Sequence, residues 1–110
     1  MVECISVYVT AAERAQAESI GRTLVEERLA ACANVLDGMT SIYRWEGAIQ
    51  RDDEAVLILK TRAGLLVRVE ARIRELHPYE LPCIVAWPIA GGSAAYLAWI
   101  ASETADPSGA

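Results

Sequence analysis

At 110 residues the chain is long enough for one hydrophobic core and too short for two. Hydrophobic residues make up 54% of it, which excludes an intrinsically disordered protein. The formal net charge of −5 speaks against a nucleic-acid partner and against an anionic membrane surface, since both need a basic face.

The three cysteines, Cys4, Cys32 and Cys83, are odd in number and far apart. With no CxxC among them, a zinc ribbon, a thioredoxin-type pair and a disulfide scaffold are disfavoured, and each is read as a small buried hydrophobe in a reducing compartment. The opening MVECISVYV lacks the basic and long apolar regions of a signal peptide. The longest apolar run, Leu81 to Ala90, is interrupted by Pro82 and Pro88 and is about half as long as a membrane span requires. A soluble, cytoplasmic protein is expected.

In chain order, Cys4 to Thr10 alternates as a strand. Thr10 with Glu13 three residues on has the pattern of a capping box, and apolar Ala17, Ile20, Leu24 and Val25 mark a helix from Ala12 to about Leu29. Asp37-Gly38 is a turn signal. MTSIYRWEGAI, rich in β-branched and aromatic residues, is a second strand with Gly47 as a candidate bulge. QRDDE is polar enough for a turn, and AVLILKT returns as a third strand, so the two form a long hairpin.

Thr61 is expected to cap a second helix striped by Leu66, Val69, Ile73 and Leu76. Pro78 disfavours helical geometry at His77, so that helix stops near Leu76. PCIVAWPI is a fourth strand, GGS a loop, and AAYLAWIASE a short last helix turning Tyr96, Leu97 and Ile100 inward. The chain is therefore one domain over residues 1–103, with 104–110 as a flexible C-terminal tail.

This order suits an α+β fold, the ferredoxin-like split βαβ sandwich: one antiparallel sheet with two helices on one face, plus an extra terminal helix. The strands AVLILK and CIVAW are apolar on both sides, which means burial on both faces. Either the terminal helix wraps round to cover the second face, or that face packs against further copies of the chain. Composition does not choose between a dimer and a ring.

Polar residues that could carry chemistry fall in three places: Tyr43, Trp45 and Glu46 in the hairpin, Lys60 at the end of the third strand, and His77, Tyr79 and Glu80 after the second helix. His77 is the single histidine. At a helix C-terminus it would end the helix, and as a metal ligand it would need Glu80, a cysteine or another subunit to complete the site.

TSIYRWEGAI, LILKTR and LHPYELPCIVAWPI, with ERLAACANV before and YLAWI after, resemble the CutA family of divalent-cation-tolerance proteins along nearly the whole chain. The resemblance implies a ferredoxin-like fold assembled as a homotrimer, with clefts between subunits lined by Cys32, Tyr43, Trp45, Glu46, Lys60 and Tyr79. It also implies divalent-metal binding, copper first, without an established reaction. Copper-placing members use a cysteine at the end of the first strand and a histidine pair before PY; here Val9 and Leu76 stand at those positions. That leaves a weak site on His77 and Glu80, or one assembled across subunits. A trimeric, PII-like signalling or scaffold protein binding a small ligand or partner protein is the alternative.

Overall fold

The computed structural model describes residues 2–107. It contains β1 (Cys4–Ala11), α1 (Arg14–Glu26), β2 (Cys32–Trp45), β3 (Ala48–Arg62), a 3-10 turn (Ala63–Leu65), α2 (Leu66–Leu76), β4 (Ile84–Pro88) and α3 (Ala94–Glu103). The strands form one sheet in the order β2-β3-β1-β4, with every adjacent pair antiparallel. This is the split βαβ topology expected from the sequence.

One face of the sheet makes the core. Ile5, Val7, Val9 and Ala11 of β1 stand beside Ala55, Leu57 and Leu59 of β3 and pack against Ala17, Ile20 and Leu24 of α1 and Val69 and Ile73 of α2. Burial of such side chains is worth about 1.5–3 kcal/mol each. Gly21 lets α1 approach closely, because a Cβ there would lie 2.8 Å from the Ala33 Cβ and 3.0 Å from the Leu57 Cδ1. A bidentate Arg72–Glu27 pair, at 2.8 and 2.9 Å, ties α2 to the end of α1.

Several local signals are overridden by pairing between strands. Thr10 is not a helix cap: it pairs with Val56 inside β1, and α1 begins after Glu13, whose side chain makes no capping bond. Nor does Thr61 cap α2. It pairs with Ile5, is fully buried, and donates its hydroxyl to the Leu29 carbonyl at 2.7 Å.

α1 ends at Glu26, short of Leu29, because Arg28 adopts a left-handed φ of 59°. The Arg28 and Leu29 amides then bond back to the Val25 and Leu24 carbonyls at 3.1 and 2.9 Å, a Schellman close. α2 stops at Leu76 as Pro78 requires, with His77 extended at φ −90°, ψ 130°.

The hairpin is longer than its sequence suggests. QRDDE is not a turn but part of β3, and pairing runs unbroken from Met39↔Glu54 to Trp45↔Ala48. Gly47 is not a bulge. With Glu46 it forms the two-residue turn, both residues at positive φ (49° and 80°), as hairpins of this length demand. The bulge lies instead between Leu36 and Met39, where β2 carries one residue more than β3, so Asp37-Gly38 interrupts a strand rather than ending one.

α3 covers only one end of the second sheet face. Ile100 and Leu97 pack on Cys4 and Ala31, while Tyr96, expected inward, is 42% exposed. Leu36, Val85 and Trp87 on the same face remain 59%, 46% and 51% exposed. Of the C-terminal segment, Thr104 is buried and the Ala105 amide bonds to the Arg28 carbonyl at 2.7 Å; residues 108–110 lie outside the described part. Among the described residues no helix is long and apolar enough to cross a membrane.

Candidate functional site

The hairpin runs beyond β1 as a two-stranded arm, since β1 pairs only Ala55 to Arg62 of β3. Beneath it lies a cavity of about 800 Å³, lined in part by Tyr8 and Thr10 of β1, Tyr43 and Trp45 of β2, Asp52 and Glu54 of β3, and Tyr79, Glu80 and Cys83 of the segment before β4. Antiparallel partners share a face, so Met39, Ser41 and Tyr43 stand on the same side as Glu54, Asp52 and Gln50.

Phenols and carboxylates pair across this cavity. The Tyr43 hydroxyl donates to Asp52, and the Tyr79 hydroxyl donates to Glu54 at 2.9 Å. Burial, then the bond to Glu54, pushes the Tyr79 phenol up to about 12. The bond to Asp52 raises the Tyr43 phenol, and burial raises Tyr8, assisted by the negative potential of Cys83 and Glu54. Burial also pushes the Cys83 thiol up, so it stays protonated at neutral pH and is a poor thiolate donor.

The residues expected from sequence fall into separate neighbourhoods of the chain. Tyr43, Trp45, Tyr79 and Glu80 line the cavity. Glu46 sits in the turn at the tip of the arm. Cys32 and Lys60 lie at the other end of the open face beside α3. There the Lys60 Nζ donates to the Asn34 Oδ1 at 2.9 Å, and the Cys32 Sγ is 3.6 Å from the Tyr96 hydroxyl.

His77 touches only Tyr79 among them, with ring centroids 4.5 Å apart. It is only 7% exposed, does not line the cavity, and uses both ring nitrogens: Nε2 on the Thr10 carbonyl at 2.7 Å and Nδ1 accepting the Tyr79 amide at 3.2 Å. Both imidazole nitrogens are thus engaged by backbone groups, while Glu80, its expected partner, is exposed and lines the cavity. Among the described residues no group of three or more His, Cys, Asp or Glu side chains is arranged to hold a metal within one copy.

The sequence reading missed Tyr8, Asp52 and Glu54. Alternation was the available signal: Asp52, Glu54, Val56 and Ile58 are spaced by two on one continuous strand, which QRDDE as a turn concealed.

The family profile described as CutA1 divalent ion tolerance protein matches residues 5–103. A divalent-cation tolerance protein CutA of Thermus thermophilus is 45% identical over 98 residues, covering 89% of this chain and 95% of that one. A chloroplastic CutA protein of Arabidopsis thaliana is 42% identical over 103 residues, covering 94% of this chain and 57% of the longer relative. Among solved structures, CutA1 from Oryza sativa superposes with a TM-score of 0.93 at 38% identity, covering 96% of each chain. The Thermus thermophilus Cut A1 structure gives a TM-score of 0.90 at 43% identity, covering 93% of this chain and 99% of that one. With its fold, its sequence and nearly its whole length in agreement, the chain belongs to the CutA1 divalent ion tolerance family.

Proposed function

We propose that the protein acts in divalent-cation tolerance as a cytoplasmic homotrimer, binding cation weakly in clefts between subunits and carrying out no turnover. The observation that carries this reading is the apolar surface one copy leaves wet. Leu36, Val85 and Trp87 crowd one sheet face, and Ile42 and Ile49, which share a face of the arm, are 70% and 68% exposed. Leaving side chains of this size in water forgoes about 1.5–3 kcal/mol apiece, and contiguous apolar patches mark interfaces.

Asp52, Glu54 and Glu80 line the cavity under the arm, so a neighbouring copy docked there would face an acidic, phenol-rich wall. Among the described residues one copy holds no cluster of three such donors, and coordination completed across the interface would make affinity depend on assembly. Among first-row divalent ions, copper(II) heads the affinity order for such a site.

Light scattering on the purified chain, with calorimetric titration of Cu(II) and Zn(II), tests the proposal. A particle of three chains that binds cation is expected. Trp87→Glu should both dissociate it and abolish cation uptake. A stable monomer at micromolar concentration, or cation binding undiminished in the dissociated variant, would overturn it.

A further inference from the structure

We infer that His77 is not a ligand of the cation but a positioning residue: its ring fastens the segment from His77 to Cys83 onto the end of β1 and so sets where Tyr79 and Glu80 stand. The positioning role rests on the cleft reading above; the fastening stands on its own geometry.

The proton count on the ring is decisive. Nδ1 accepts the Tyr79 amide at 3.2 Å, so it carries no proton. A neutral ring therefore bears its proton on Nε2 and donates it to the Thr10 carbonyl at 2.7 Å. Ligation through Nε2 would require stripping that proton, and ligation through Nδ1 would require breaking the Tyr79 bond and turning a ring that is nearly sealed from solvent.

The local sequence explains the arrangement. Pro78 forces His77 out of helical geometry, which swings the ring off the axis of α2 toward β1. The Tyr79 ring then packs on the imidazole with centroids 4.5 Å apart, and its hydroxyl reaches Glu54. Thr10, His77, Tyr79 and Glu54 thus form one chain of bonds from β1 to β3. Groups that orient a metal site without touching the metal typically change its affinity about 10–100-fold when removed.

Because His77 is the only histidine, the imidazole nitrogen resonances of the 15N-labelled protein belong to it alone. The expected pattern, at mildly alkaline pH, is a neutral ring protonated at Nε2 that does not change as Zn(II) reaches saturation. Cu(II) should show no imidazole coupling in its paramagnetic resonance spectrum. Protonation at Nδ1, or displacement of either ring nitrogen by Zn(II), would overturn the inference.

Two variants test positioning directly. His77→Asn keeps an acceptor two residues before the Tyr79 amide, a turn asparagine favours, and should hold Zn(II) affinity within about threefold. His77→Ala should lose about tenfold or more. Equal losses in both, or none in alanine, would defeat the positioning role. If wild type takes up no cation at all, the cleft reading fails, while the tautomer still decides the fastening without any variant having to fold.

Discussion

Tyr79 and Glu54 share a hydrogen bond of 2.9 Å that joins the loop before β4 to the base of the hairpin arm. The phenol is held protonated to about 12 by burial and then by Glu54, whereas an unfolded tyrosine ionises near 10. The raised value means that the folded state binds this proton more tightly. Its contribution to stability is complete below about pH 10 and disappears as pH climbs through about 12. Tyr79→Phe is expected to cost about 1 kcal/mol at neutral pH and to flatten the fall in stability across that alkaline window. Denaturant unfolding at stepped pH would show a slope unchanged from wild type if the bond is absent.

Thr61 contributes a buried hydroxyl rather than a helix cap. Thr61→Val keeps the shape but withdraws the donor from the Leu29 carbonyl, at an expected cost of about 1–2 kcal/mol. Were Thr61 only a capping residue, unfolding of the valine variant would instead report a loss confined to α2.

Gly21→Ala reverses the usual helix scale. Alanine is favoured over glycine inside a helix by about 1 kcal/mol. Here the new methyl would meet Ala33 at 2.8 Å, and overpacking of that kind costs about 1–3 kcal/mol. The net expectation is destabilisation, read as a lower unfolding midpoint; a raised midpoint would show that α1 does not sit this close to the sheet.

Arg62 pins the end of α3. Its Nε donates to the Thr104 hydroxyl at 2.9 Å, and its Nη2 donates to the Thr104 carbonyl at 3.2 Å and to the Ala101 carbonyl. Arg62→Ala should cost about 2 kcal/mol and speed amide exchange in α3 while leaving α1 and α2 protected. Uniformly faster exchange across the domain would contradict this local anchoring.

The sequence made the architecture legible where a local rule and the tertiary fold agree. Alternation in β1, the stripe of Leu66, Val69, Ile73 and Leu76, and the stop imposed by Pro78 all appear where expected. Thr10, Thr61 and QRDDE misled because strand pairing overrode their local preferences. Arg28 gave no glycine signal for its left-handed turn. At the site, Tyr43, Trp45 and Tyr79 stood out by residue type, whereas the Thr10 carbonyl that fixes His77 lies 67 positions away in the chain. No local pattern records such a partner.

The extra residue between Leu36 and Met39 decides which way the arm looks. Before it, the even positions Asn34 and Leu36 share a face with Ile58 and Val56; after it, the odd positions Met39, Ser41 and Tyr43 take over that side. Side chains on a strand alternate strictly, so pairing straight through Asp37 and Gly38 with no bulge would turn the ribbon over like a reversed page. Thr40, Ile42 and Arg44 would then look toward β1, and Tyr43 and Trp45 would look outward. The phenol-lined hollow owes its chemistry to a parity of one.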